Sequence, residues 1–500
     1  MILSTVALIL TQSQIHVDPQ VLGKLPGSLV GPMLCGPTGR HSVCAVHLSS
    51  GGWAVLEDGH LIGSYDGEDP IVIIPESHRP GLDVKFSQDG HHYAFVGTRK
   101  GQQIPVFDGI ERPAAQQIGE IALSPTGDSY AYVAKDSTKS RLIRDGKEVA
   151  SNENYIGSLT YSPDGRQLAW ITDIGHGYAQ FLNGKQLTPR EGDDPKAFQQ
   201  IHRFRFSPDS KHYAYIQGAD PDVRIVRNGR VEATFKEISG GVVQDIDFTP
   251  DSKRLAVAFG GIWTTQVGFV RDGKVVPAGP ASGTTQAGQF IWSPNSKHFA
   301  TAVWRANKTY AVLDGQEMPE HVYAFSKPGW VMDDGRFAYC SSDLNSSVLW
   351  ATHFGGQDFK GWLLHDMTAD GSHLAMCRSL QDRNVTPVQV DGRTYGPEGE
   401  HVRELAFSRP NAKHFYFRTE SANVAKLYLD GVLQPFDGEV SFSPDERHVA
   451  VVGRDRASVD GTLVVTEGCS QPHLFWDNAT AFLGYSIEGD QLVRIKGKVK

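Results

Sequence analysis

Few of the features that announce an enzyme, a membrane protein or a nucleic-acid binder occur in this sequence. Cysteine is scarce: Cys35, Cys44, Cys340, Cys377 and Cys469 are the only five in 500 residues. The number is odd and no Cys-x-x-Cys pair occurs, so neither a disulfide framework nor a zinc site is indicated. Cys35 and Cys44 flank a Gly-Pro-Thr-Gly turn. With that turn centred near Pro37–Gly39, Cys35 faces a residue near His41 and Cys44 points to the opposite side of the sheet, which argues against a bond between them. All are expected as mostly buried thiols that act as small apolar side chains. Long apolar runs are also missing. Ile2–Leu10 is too short to span a bilayer, and no later segment is apolar enough, so no membrane span is expected. No segment sustains a helical apolar period over three turns, which excludes helical solenoids. Lysine and arginine number 48 against 57 acidic residues, a formal charge of −9. No basic stripe is present to neutralise phosphates, so nucleic acid is not an expected partner. The nucleophile elbow Gly-x-Ser-x-Gly is absent. Its nearest approach, Gly484-Tyr-Ser-Ile-Glu488, ends in Glu.

Glycine, by contrast, is abundant at 53 residues, and it sits in a repeat. Phe206-Ser-Pro-Asp-Ser-Lys-His-Tyr-Ala-Tyr-Ile216 returns as Phe248-Thr-Pro-Asp-Ser-Lys-Arg-Leu-Ala-Val-Ala258 and as Trp292-Ser-Pro-Asn-Ser-Lys-His-Phe-Ala-Thr-Ala302. Further copies begin at Phe86, Leu123, Tyr161, Phe407 and Phe442. Weaker ones lie at Gly36–Gly39, Asp334-Gly335, Asp370-Gly371 and Glu488–Asp490. Each copy is followed by an apolar run closed by Asp-Gly or Asn-Gly, as in Val106-Phe-Asp-Gly109, Phe181-Leu-Asn-Gly184 and Val312-Leu-Asp-Gly315. Val465-Thr-Glu-Gly468 and Ile495-Lys-Gly497 are worn versions. Such dipeptides between apolar alternations are strong hairpin signals. Each unit therefore reads strand, Ser-Pro-Asp-Gly/Ser turn, strand, loop, strand, Asp-Gly turn, strand. About twelve units in 500 residues leave about 42 residues each, the size of a four-stranded propeller blade.

These units resemble the WD-repeat-like Pro-Asp propeller repeats of the TolB protein and of tricorn-type and prolyl-oligopeptidase propellers. The resemblance runs from about residue 30 to the end. It implies an all-β propeller and is unspecific for function. The chain departs from those relatives in having no room for the TolB α/β domain and no hydrolase domain. Twelve blades imply two six-bladed propellers in tandem, residues 15–280 and 281–500, with the seam in the turn-prone stretch Pro277–Gly288. The chain ends just after a worn third-strand turn, so the last blade must take its fourth strand from earlier sequence. Residues 1–14 read as a signal peptide, although they lack a basic start and an Ala-x-Ala site; a first β-strand is the alternative. The expected location is secreted or periplasmic, with the cytoplasm as alternative.

Nineteen histidines invite a metal reading. His92, His212, His298, His414 and His448 share one repeat position just after the turn, however. A residue placed once per blade does not converge on an ion, so no metal and no cofactor are expected. The acidic clusters at 66–70, 191–195 and 220–222 match no full calcium loop and read as solvated turns. One segment breaks the repeat chemistry. Trp350-Ala-Thr-His-Phe-Gly-Gly-Gln-Asp-Phe-Lys-Gly-Trp362 puts Trp350, His353, Phe354, Phe359 and Trp362 where other units have a plain Asp-Gly hairpin. Exposed at a blade end, these residues would be a binding surface; the plainer account, favoured because large aromatic side chains are mostly buried, has them filling core between blades. The functional expectation is a non-catalytic binding or scaffold protein with a protein or polysaccharide partner. A propeller-face enzyme, such as a glycan lyase or hydrolase, is the alternative. One deep cleft gathering carboxylates, His and Arg would distinguish it.

Overall fold

The computed structural model describes residues 15–500 apart from 67–71, 74–79, 82–83, 176, 189–200, 220–221, 236–240, 262–267, 272–273, 278–290, 306–307, 315, 323–329, 343–349, 381–382, 423 and 466–468. Among the described residues every regular element is a β-strand. The strands form antiparallel blades, most of them four-stranded, numbered here 1 to 12 in chain order: 27–65, 85–111, 117–152, 156–188, 201–235, 241–277, 291–322, 330–360, 362–395, 401–433, 439–465 and 470–499; blade 1 has a fifth short strand at 34–35, blade 6 is two two-stranded pairs, blades 9 and 10 join in one sheet through Val385 and His401, and a separate pair, 72–73 with 80–81, lies between blades 1 and 2. Strands a to d follow chain order within a blade. Blade 12 takes its strand d from the start of the chain. Ile15–Lys24 pairs antiparallel with Gln491–Val499, as the missing fourth strand required. No described helix is long and apolar enough to cross a membrane.

Alternation along strand b builds the core. A small residue stands second in strand b of most blades: Ala94, Ala131, Ala169, Ala214, Ala300, Ala338, Ala375 and Ala450 are all at most 1% exposed. Neighbouring sheets can therefore approach closely, while aromatic residues such as Tyr93, Tyr132, Trp170 and Tyr215 fill the flanking space.

The turns are held by one device. Where strand c meets strand d, the Asp of Asp-Gly adopts a left-handed φ of 47–50° at Asp108, Asp314, Asp391, Asp430 and Asp460. That conformation turns its carboxylate back across the sheet. Oδ1 accepts the backbone N–H that opens strand b, from Tyr93, Phe299, Leu374, Phe415 and Val449. Oδ2 accepts Nδ1 of the preceding histidine at 2.7–2.8 Å, from His92, His298, His373, His414 and His448. The repeated histidine is thus half of a clasp that ties the a–b turn to the c–d turn. Ser129 with Asp145 and His212 with Asn228 are variants of it.

A second device links successive blades. In blades 5, 6 and 7 the fourth turn residue is Ser rather than Gly, at φ 62–64° for Ser210, Ser252 and Ser296. Each hydroxyl accepts the backbone N–H of the preceding blade's turn aspartate: Asp164 to Ser210, Asp209 to Ser252 and Asp251 to Ser296, at 2.9–3.0 Å. Asn295 continues the chain to Asp333. Between blades 10 and 11, Glu446 plays the same part. Burial disfavours its charge, but Ser408 Oγ and the backbone N–H groups of Lys413 and Asn411 outweigh it and hold the carboxyl at about 2.

Contacts divide the chain into two compact units, one of residues 1–114, 407–418 and 423–500, the other of 115–406 and 419–422. This division differs from the expected 15–280 and 281–500. Pairing of the first strand with the last places both chain ends in the first unit. The expected seam at 278–288 and the expected signal peptide lie outside the described residues.

Four local expectations change. Cys35 pairs with Ser42, not His41. That one-residue difference in register puts Cys44 on the same face as Cys35, in a cluster with Met33, Leu56 and Tyr485. Both thiols are free, and burial pushes Cys44 up to about 12. The Glu488–Asp490 turn joins strands b and c of blade 12, whose a–b turn lies at 477–480. Ile495-Lys-Gly497 lies inside a strand, because the incoming strand d makes a c–d turn unnecessary. In blade 11 the c–d turn is Asp460-Gly461, and 466–468 lies outside the described residues.

Both devices can be tested by substitution. Ser252→Ala keeps a left-handed non-glycine residue and removes the acceptor for Asp209 N–H, whereas Ser252→Gly removes the acceptor and also relieves the left-handed strain. Denaturant unfolding is expected to show a loss of about 2 kcal/mol for Ala and about 1 kcal/mol for Gly; no loss from Ser252→Ala would contradict the link. For the clasp, the hydrogen bond to Asp430 raises the His414 pKa against the opposing effect of burial, with Glu446 adding to the rise and Phe442 stacked at 5.8 Å. A raised histidine contributes stability that is full below its ordinary value of about 6.5 and is lost as pH climbs through the raised one. His414→Asn should therefore cost more stability at pH 6 than at pH 9.

Candidate ligand slot between blades 7 and 8

Blade 8 is the described blade in which the clasp is deleted at a c–d turn. Strand register aligns Phe354-Gly355-Gly356 with Leu313-Asp314-Gly315 of blade 7, so Gly355 stands where the clasp aspartate should be. Arg336 replaces the histidine, in a turn one residue shorter. Both glycines have left-handed φ, 59° and 78°, and a Cβ on either would meet nothing within 4 Å. The space that Asp314 and His298 fill in blade 7 is open here.

A slot of about 440 Å³ results. Leu313 and Met318 of blade 7 form one side. Three rings of blade 8 form the other: Phe337 stacks on Tyr339 at 5.2 Å and Tyr339 on His353 at 4.7 Å, each pair 19° from parallel. Alternation along strands b and c puts these rings on one face, with Tyr339 directly opposite His353. His353 Nδ1 donates to Asp358 Oδ1 at 2.8 Å, and the Asp358 side chain is 53% exposed at the rim. Arg336 lies over Phe354, 5.1 Å from the ring centroid, and donates to Asp334 Oδ2 and to the Asp370 carbonyl. Phe354 is pinned from behind. A Cβ on Gly371, whose φ is 69°, would stand 2.6 Å from Phe354 Cζ.

The structure separates the five residues nominated from sequence. His353 and Phe354 line the slot. Phe354 is also a buried member of the cluster of Met332, Ala338, Leu364, Met367 and Met376, against which Phe359 and Trp362 are half-buried; those two are not in the slot's lining. Trp350 opens strand c opposite Ser342, and its side chain lies outside the described residues. Sequence reasoning missed Phe337, Tyr339, Arg336 and Asp358. The usable signal was the missing aspartate at 355, since a hairpin that has lost its clasp residue marks the place where space opens.

No family model matches the chain, and no curated protein matches it in sequence. Among solved structures it is similar to the hydrazine synthase of Kuenenia stuttgartiensis, at 15% identity over 58% of this chain and 97% of that chain, TM-score 0.27. It is also similar to a eukaryotic initiation factor, at 12% identity over 82% and 92%, TM-score 0.34. A third likeness is to a chain of the mitotic checkpoint complex, at 13% identity over 58% and 91%, TM-score 0.28. Likeness at this level assigns no function, and the blade architecture rests on the sheets themselves.

Chemically, the slot is lined by largely buried rings, aliphatic side chains and one half-exposed carboxylate. Its lining contains no serine, threonine, cysteine or lysine to act as a nucleophile. Among the described residues no three of His, Cys, Asp and Glu group in a way that could hold a metal ion. Of the acidic clusters, residues 67–70, 191–195 and 220–221 lie outside the described residues.

The floor of the slot depends on Gly371. Gly371→Ala should cost about 2–4 kcal/mol through left-handed strain and collision with Phe354. A thermal melt reads the loss, and a neutral substitution would show that Phe354 is not held from behind.

Proposed function

We propose that this protein is a non-catalytic binding propeller of the Pro-Asp repeat type, exported to the envelope or beyond, which captures a protein partner at the slot between blades 7 and 8. The observation that supports this reading is the place of the slot. It opens at the turn end of a blade whose c–d turn carries Gly355 where blade 7 has Asp314 and blades 4 and 5 have Asn183 and Asn228, and it is walled by stacked rings with a carboxylate at its mouth. Pockets that are mostly apolar with a few placed polar groups are the usual form of a recognition site. Four-stranded blades make a rigid frame, so the site's geometry is set before binding and little ordering cost falls on association.

Gly355→Asp restores the residue that the other clasps carry at nearly the same φ, and its Cβ has room. It should leave the melting temperature unchanged or raised while blocking the slot. With the variant and the wild type as baits in cell-envelope fractions, a partner held by the wild type should be lost from Gly355→Asp. Equal retention by both would overturn the slot as the capture point. Fractionation of the native host tests export: recovery of the chain only from the cytoplasm, with residues 1–14 intact, would overturn that part.

A further inference from the structure

We infer that an uncharged sugar chain stacks on Tyr155 at the loop end of blades 3 and 4, a site separate from the slot between blades 7 and 8. Among the described residues Tyr155 is the one aromatic side chain that is exposed, at 46%. It stands in the link between strand d of blade 3 and strand a of blade 4, at the end of the sheets away from the clasped turns. The exposure does not come from a loose link. The Tyr155 carbonyl accepts Asp173 N–H, and Asn152 Nδ2 donates to the Asp173 carbonyl at 2.9 Å. Asn154 N–H donates to Asn152 Oδ1 at 2.7 Å, and Ser140 Oγ donates to the Asn154 carbonyl at 3.0 Å. Both blades thus hold the link in place. The ring also has a seat. Tyr178 meets it edge to face, at 6.5 Å and 80°. Its hydroxyl end lies over Gly157, where a Cβ would stand 2.0 Å from Tyr155 Oη. Gly157 is not left-handed, so the backbone does not call for glycine there; the ring above it does.

Polar groups surround the ring. Glu120, from strand a of blade 3, accepts Leu159 N–H through Oε1 at 3.1 Å. Burial, then the nearby Glu120 carboxylate and Tyr178, raise the Tyr155 pKa against a hydrogen bond with Ser158. Ser158 is exposed in the bulge between Gly157 and Thr160, and Asn154 is exposed beside the ring. The rim therefore offers a carboxylate that accepts, and a hydroxyl and an amide that both donate and accept. A pyranose matches this set. Its C–H face is flat and apolar, and the hydroxyls at its edge both donate and accept. Tyrosine suits such a ligand because it joins an apolar face to a polar tip. An ammonium ligand fits less well. It calls for several ring faces and for acceptors alone, whereas here the two rings meet edge to face and the donors of Ser158 and Asn154 would be unused. A platform that lies open at a loop end suits a sugar within a chain, which can pass across it.

The test titrates the full chain by calorimetry with chitotetraose, cellotetraose, maltotetraose and mannotetraose, and with choline as the cation probe. At least one tetrasaccharide should bind, and more tightly than choline. Tyr155→Ala should weaken that binding about tenfold or more with little change in melting temperature, because the side chain is exposed. Tyr155→Phe keeps the ring and should retain most of the affinity. Glu120→Gln keeps an oxygen for Leu159 N–H and should weaken binding severalfold, through loss of a charged acceptor. Gly355→Asp should leave sugar binding unchanged. No binding of any tetrasaccharide, choline bound more tightly than every sugar, sugar binding that survives Tyr155→Ala, or sugar binding lost in Gly355→Asp would each overturn the assignment. The slot reading fails separately, when Gly355→Asp still retains the protein partner.

Discussion

The fold depends on a single left-handed aspartate. Blade strands are short, so many backbone N–H groups lie at strand ends, where an unsatisfied donor is costly. The clasp aspartate sits in the c–d turn at a φ that ordinary residues avoid, and from there its two oxygens reach the first N–H of strand b and the ring of the preceding histidine. One side chain thereby fixes both turns at the same end of the blade. The repetition of histidine after the a–b turn follows from this geometry. So does the tolerance for Asn or Ser as partners in blades 3 to 5, since each keeps a short polar group in reach.

Stability then passes from blade to blade through the same turns. Serine at a left-handed position, as at Ser210, Ser252 and Ser296, is locally unfavourable compared with glycine. It persists where its hydroxyl satisfies an N–H of the neighbouring turn. An array of blades would still present a bare sheet edge at its end, and bare edges invite association with other chains. Pairing of Ile15–Lys24 with Gln491–Val499 covers the edge of strand c in the last blade and ties the first described strand to the last.

Much of this was legible in the residues. Turn motifs at a fixed spacing revealed four-stranded units and their number, because Pro, Asp and Gly are demanded by backbone geometry whatever the partner. The terminal exchange of a strand followed from counting strands in the last unit. Less legible was whatever depends on register or on contacts between units. Cys35 and Cys44 share a face because the hairpin pairs Cys35 with Ser42, a one-residue matter that the turn sequence alone does not decide. The five histidines were recognised as a repeat position without their Asp or Asn partners, which lie 12 or 16 residues away at the c–d turn. Of the five residues nominated as a surface, alternation sends His353 toward the slot, while Phe359 and Trp362 pack on the neighbouring core. A string of aromatic residues conceals that split, because adjacent strand positions face opposite ways.

A repeat protein can make a site by subtraction. Each blade contacts mainly its neighbours, so the loss of one interblade feature need not propagate through the array. At blade 8 the c–d turn carries Gly355 where blade 7 carries Asp314, so the clasp's side-chain acceptor is missing, and the neighbouring rings stay in place because strand pairing positions them. Phe354 remains fixed by the Gly371 turn, and Arg336 replaces part of the lost clasp with its own bonds to Asp334 and the Asp370 carbonyl. The blade thus retains its connection to blade 9, and it stays packed on blade 7 through the cluster of Ala300, Ala311, Val331, Phe337 and Tyr339 and through Asn295 and Asp333. For that reason the departure from the repeat, more than the repeat itself, carries the functional information in this chain.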